Sequence, residues 1–203
     1  MDASVLAALQ RWPNVPAVYG WLSLDARGTW RLHPLGDGVK GGPGESITSP
    51  QIIAFIDRNY AGDADGNWFF QNGPQRVYVR LDAAPFILRL AGDNGGFETH
   101  NGLPVKNVSQ WLLDEQGRLL AATEHGAAML DSRDLAAVLE QLRTSDGTAL
   151  IDLLENPPDD TVQVGPGDGL LHSAPLIHIS SADVPSQMHF VACPTKPDPD
   201  HTN

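Results

Sequence analysis

Short runs of alternating apolar and polar residues, punctuated by Gly, Asn, Asp and Pro, dominate the chain. That period marks half-buried strands joined by tight turns. Residues 14–24 predict a strand with Leu22 and Leu24 on one face and Tyr19, Trp21 and Ser23 on the other. D-A-R-G turns the chain, and residues 29–34 return. W-F-F-Q, R-V-Y-V-R-L and F-I-L-R-L-A follow as three more strands, the first two joined across the hairpin signal Asn72-Gly73. In R-V-Y-V-R-L the split is clean: Val77, Val79 and Leu81 face one way, Arg76, Tyr78 and Arg80 the other. G-D-N-G-G leads to F-E-T-H, and N-V-S-Q-W-L-L pairs with R-L-L-A-A-T across D-E-Q-G.

Three stretches carry the helical period instead. Val5, Leu9 and Trp12 form one stripe, stopped by Pro13. Ser49 reads as an N-cap with Pro50 at the first helical position, ahead of the apolar face Ile52, Ile53, Phe55, Ile56 and Tyr60. Leu135, Val138, Leu139 and Leu142 form a third stripe, capped by Asp131 or Ser132. The expected fold is therefore α+β: antiparallel hairpins in a meander, forming a curved sheet or partly open barrel packed with one or two short helices. No βαβ crossover is visible.

Asp-x-x-Gly followed by a large apolar residue recurs at Asp25/Gly28/Trp30, Asp63/Gly66/Trp68 and Asp114/Gly117/Leu119. Asp opens such a turn through its own backbone and Gly closes it at positive φ. We read three hairpins rather than three repeat units.

Composition shifts after residue 144. Residues 145–203 hold one base, Lys196, against nine acids, and none of the five Trp. A main domain over 1–144 and an acidic, Pro-rich, β-rich extension over 145–203 are expected. A short helix at A-L-I-D-L-L, strands at T-V-Q-V, P-L-I-H-I and Q-M-H-F-V-A, and a disordered tail fill that extension.

The net charge of −12 disfavours nucleic-acid binding, which needs a basic face. The start of the chain has no signal-peptide pattern and no window is apolar enough to span a membrane, so a cytoplasmic protein without a membrane partner is expected. Cys193 is the single cysteine. With only Lys196 nearby to lower its pKa it makes a poor nucleophile, and reads as a small buried apolar residue.

Candidate chemistry is sparse. Residues 35–46 hold five glycines and form a mobile loop, but their spacing matches no phosphate-binding fingerprint. D-A-D-G-N lacks the first and last ligands of a calcium loop. His172, His178 and His189 form a trio without metal-site spacing, so no metal or cofactor is expected. G-x-S-x-G is absent, and no catalytic residue is assigned. The densest polar cluster surrounds Q-N-G-P-Q-R. Gln71, Asn72, Gln75 and Arg76, flanked by Tyr60, Trp68 and Arg80, are the candidate ligand-binding residues. The arginines could grip a carboxylate or phosphate, or could instead pair with Asp57, Asp63 or Asp82.

Residues 68–86, W-F-F-Q-N-G-P-Q-R-V-Y-V-R-L-D-A-A-P-F, with Arg58-Asn59-Tyr60 before them, resemble a family of proteobacterial conserved proteins of unknown function. The resemblance spans about residues 18–142 and implies no activity. A fainter similarity, to another bacterial family of unknown function, rests on a D-x-x-G-x-W hairpin, a short helix and a strand ending like Asp82-Ala84-Pro85-Phe86. It implies strongly bent sheets. The functional expectation is a non-enzymatic module that binds a small anionic or polar molecule or a protein partner, with a homodimer plausible from base rates. The alternative is a hydrolase using His100, His125 or the C-terminal histidines.

Overall fold

The computed structural model describes residues 1–92, 96–155, 161–166 and 173–196. They divide into two compact units. Unit 1 comprises Met1–Ala83 and the described residues from Phe190 onward, and unit 2 comprises Ala84–His189.

Unit 1 begins with helix α1 (Ala3–Arg11) and then builds one six-stranded sheet. Strands β1 (Val18–Leu24), β2 (Trp30–Leu32) and β3 (Glu45–Ser46) form one antiparallel meander. Helix α2 (Pro50–Arg58) crosses to a second meander of β4 (Tyr60–Gly62), β5 (Trp68–Asn72) and β6 (Gln75–Leu81). The meanders join where β1 and β6 pair in parallel, giving the order β3-β2-β1-β6-β5-β4. On the α2 side the sheet presents Leu22, Leu24, Val77, Val79, Leu81 and Phe70, which form the core of this unit.

Unit 2 repeats the scheme. Strands β7 (Phe86–Ala91), β8 (Gly96–Thr99) and β9 (Pro104–Val105) form one meander, and β10 (Val108–Asp114), β11 (Leu119–Thr123) and β12 (Gly126–Leu130) form the next. Parallel pairing of β7 with β12 gives the order β9-β8-β7-β12-β11-β10, the same order and directions as in unit 1. Details coincide too. Asp82 directly follows β6 and its N–H donates to Leu24 O (3.0 Å); Asp131 directly follows β12 and its N–H donates to Leu88 O (2.9 Å). The Asp-x-x-Gly turns at 63–66 and 114–117 occupy equivalent places, between β4 and β5 and between β10 and β11. Two of the three hairpins read as independent in the sequence are thus matched elements of a repeated six-strand pattern.

Unit 2 adds helix α3 (Leu135–Gln141), strand β13 (Leu142–Thr144), helix α4 (Leu150–Glu155), strands β14 (Val162–Pro166) and β15 (Ala174–Ile179), and helix α5 (Val184–Gln187). The three strands extend its sheet to nine, with β15 parallel to β10. The described part of the stretch after residue 144 is therefore shared out: these elements belong to unit 2, while Val191 N–H donates to Gly66 O and Ala192 O accepts from Leu81 N–H within unit 1.

The α+β class with hairpin meanders holds. The sheets are mixed, because each parallel pair joins residues far apart in sequence and leaves no local signal. The strand expected over 187–192 does not form. Pro185 starts a short helix, and His189 reverses the chain at φ +56°. Ser49 and Asp134 stand at helix N-caps, yet neither side chain caps its helix. Leu142 continues in extended backbone into β13 rather than completing the helical stripe.

Candidate functional site

An open groove of about 410 Å³ lies in unit 1 between α2 and the sheet. Val18, Trp21, Leu22, Leu32, Ile47, Ile52, Ile56, Phe70 and Val77 line it, and among the described residues its polar lining is Asn72 and Gln75. Three of the large apolar side chains stay substantially exposed there: Trp21 at 44%, Leu32 at 41% and Ile52 at 51%.

The groove exists because α2 is docked mainly at its C-terminal end. Ile56 is buried, and Phe55 meets Phe70 edge-on with ring centroids 5.5 Å apart. Trp30 Nε1 donates to Asp57 Oδ1 at 2.8 Å, while burial pushes the Asp57 carboxyl above the usual range. Buried Asn59 donates to Phe55 O (2.9 Å) and Asp2 Oδ2 (3.2 Å), and accepts from Asp2 N–H (2.8 Å). The first turn, with Ile52, remains open to solvent. In unit 2 only Lys106-Asn107 stand between β9 and β10, where unit 1 has α2, so that position carries no helix to form a matching groove.

A β-bulge completes the lining. Val18 pairs with Val77 and Leu22 with Val79, so β1 spends two residues more than β6 between these points. Such an irregularity re-aims side chains. Trp21 and Leu22, expected on opposite faces, both reach the groove. Gly20 makes the bulge possible. Its φ is +77°, and a Cβ there would lie 2.5 Å from Gly36 O.

The seven residues expected to bind ligand divide by strand alternation. Asn72 and Gln75 are paired across the β5–β6 turn and line the groove. Tyr60 and Trp68 lie on the same sheet face but pack together, rings 5.0 Å apart, with Trp30 edge-on to Tyr60. Burial raises the Tyr60 hydroxyl well above its ordinary pKa. Gln71, Arg76 and Arg80 project from the opposite face. Buried Gln71 donates to Gly73 O at 3.0 Å, and its Oε1 has no hydrogen-bond partner among the described residues. Arg76 sits 3.9 Å over the Phe69 ring and donates to Tyr78 OH, which in turn donates to Asp63.

Arg80 donates to Gly38 O (2.5 Å), Gly42 O (3.1 Å) and Asp82 Oδ1 (2.9 Å). The glycine-rich stretch expected to be mobile is therefore tied down, and residues Gly38–Lys40 form a 3-10 turn. Beneath it, buried Ser23 Oγ and His33 Nε2 lie 2.9 Å apart. Desolvation first, then the nearby Arg80 charge, lowers the His33 pKa.

The chain matches the family model DUF2944, described as "Protein of unknown function (DUF2946)", over residues 1–195. It belongs to that family. No curated protein sequence matches the chain. Two solved structures are similar to it. One is a DUF1285 family protein from Silicibacter pomeroyi DSS-3, at TM-score 0.47 and 14% identity, with 86% of this chain and 96% of that chain covered. The other is a DUF1285 family protein from Shewanella baltica OS155, at TM-score 0.42 and 16% identity, with 58% and 89% covered.

Two histidines of this DUF2944 family member bond to nearby backbone. His100 Nδ1 accepts from Ile87 N–H at 3.3 Å, and His125 Nε2 lies 2.9 Å from Pro104 O. His178 is exposed, and His172 lies outside the described residues. Among the described residues no group of three His, Cys, Asp or Glu is placed to hold a metal ion, and no helix is long and apolar enough to cross a membrane. Cys193, expected to be buried, is half-buried. The groove itself was missed in the sequence because Leu22, Ile56, Phe70 and Val77 read there as ordinary core. The one available signal was Ile52, one apolar residue more than a narrow helical stripe needs.

Proposed function

We propose that unit 1 is a binding module for a small, largely apolar molecule, held in the groove between α2 and the sheet. The observation that carries this reading is the exposure of Trp21, Leu32 and Ile52 around one concavity. Large apolar side chains left uncovered together, rather than scattered singly, mark a surface that something else covers. The volume lies within the range of small-molecule sites, which combine apolar walls with a few polar groups. The segment carrying the family resemblance, residues 68–86, supplies Phe70, Asn72, Gln75 and Val77 to the wall. The expectation of an anionic ligand gives way here to an apolar one, because Arg76 and Arg80 stand on the other sheet face and bond within the protein.

N-phenyl-1-naphthylamine, a neutral dye that brightens in apolar surroundings, tests the reading. The wild type should enhance its fluorescence saturably. Ile52→Glu places a charge on an exposed wall position and should remove the enhancement without changing the circular dichroism spectrum. Equal enhancement by the variant contradicts the proposal.

A further inference from the structure

The polar end of the groove narrows the class of ligand. Resting on the binding-module reading above, we infer that the occupant is an amphiphile with an aliphatic body and an uncharged amide-like head, set against Asn72 and Gln75.

The argument starts from what the groove offers. Among the described residues its lining contains no charged side chain. An ionised head set against such walls would lose part of its hydration without gaining a counter-charge, which is unfavourable. Repulsion from the net charge of −12 adds to that penalty for an anion. A cationic head is attracted at long range by the same charge, yet finds no carboxylate among the described residues of the lining.

The two carboxamides suit a head that both donates and accepts. Each carries a carbonyl acceptor and an NH₂ donor. Their Cα positions are paired across the β5–β6 turn, so both stand at one end of the groove. Asn72 is exposed, and its side chain makes no hydrogen bond among the described residues. Gln75 uses one N–H of Nε2 toward Pro16 O at 3.3 Å, which leaves its other N–H and its carbonyl oxygen available. Two open donor–acceptor pairs match an amide head, which supplies N–H and C=O together. A carboxylate offers acceptors alone and an ammonium offers donors alone, so each leaves part of this set unmet.

Octanamide, octanoate and octylamine share one hydrocarbon chain and differ in the head. Their affinities for the full chain at pH 7 are read by the change in tryptophan fluorescence, with Trp21→Phe confirming that the signal comes from the groove. Octanamide should bind about tenfold more tightly than either charged analogue, the difference expected for one mismatched hydrogen bond. In the Asn72→Leu, Gln75→Leu double variant that preference should shrink to about twofold or less, while hydrocarbon binding persists. If octanoate or octylamine matches octanamide, the head-group inference falls and the apolar groove stands. If octanamide is preferred but the double variant keeps the full preference, the carboxamides are not the recognition element and the inference also falls. If none of the three binds and the naphthylamine dye is also rejected, the binding-module reading falls with it.

Discussion

Trp21 and Leu22 are consecutive residues of one strand, and both line the same groove. Ideal alternation forbids that. The bulge that permits it passes through Gly20, whose hydrogen faces the carbonyl of Gly36. Gly20→Ala must hold an L-residue at φ +77° and push against backbone at 2.5 Å. Gly41, at φ +83° with nothing within 4 Å of a Cβ, separates the two penalties. Gly41→Ala should cost about 1 kcal/mol from the left-handed backbone alone, and Gly20→Ala at least about 2 kcal/mol. Urea unfolding measures both, and equal losses would contradict the close-approach argument.

Arg80 should matter to the order of the glycine-rich stretch. Its guanidinium reaches two carbonyls of that stretch and one carboxylate. Arg80→Ala should lower stability by about 2 kcal/mol, typical for hydrogen bonds to a charged group. Amide exchange at residues 38–42 should accelerate more than elsewhere. Lysine lacks the planar fork, so Arg80→Lys should recover only part of the protection. Unchanged exchange in Arg80→Ala would show that the turn holds itself.

His33 sets a pH dependence whose sign follows from its burial. The folded protein holds its pKa below the ordinary value of 6.5. The unfolded chain therefore binds the proton more readily, and stability should fall as pH drops below about 6.5. The slope from one such group is at most about 1.4 kcal/mol per pH unit. His33→Gln keeps a partner for Ser23 and removes the titration. Stability measured from pH 7.5 to 5 should then lose this part of the slope; identical slopes would place the dependence elsewhere.

Asp131 acts in the same direction at lower pH. Hydrogen bonds from Arg133, with the added charge of Arg89, hold its carboxyl below the usual range against the opposing effect of burial. Its stabilisation is present above the unfolded pKa near 3.8 and is lost as pH falls through the folded value. Asp131→Asn should cost about 2 kcal/mol at pH 7 and flatten the acid limb. Both effects are read from urea midpoints at pH 7 and pH 3.

What the sequence disclosed follows from the range of its signals. Local periodicity located most of the long strands, the helices at Ala3–Arg11 and Pro50–Arg58, and the turns at Asp63 and Asp114. Strand alternation also separated Val77 from Arg76 correctly. It could not reveal that β1 lies beside β6 or β7 beside β12, because parallel partners are brought together by the whole meander between them. The repeated six-strand order stayed hidden for the same reason. The candidate site was half legible. Asn72 and Gln75 stood out as amides at a turn, but their apolar companions read as core. Beyond the extra apolar residue Ile52 itself, no sequence pattern shows that this end of α2 is left uncovered. The pairing of Arg80 with Asp82 was among the alternatives the sequence offered, but the other contacts of the arginines, two glycine carbonyls and an aromatic face, leave no mark at the sequence level.

The most direct test of the groove is an amide-resolved NMR titration of the full chain with N-phenyl-1-naphthylamine. Shifts should concentrate at the Trp21 indole, Ile52, Ile56, Val77 and the side-chain amides of Asn72 and Gln75, leaving residues 84–189 unchanged. Shifts confined to unit 2, or none at saturating dye, would contradict the account.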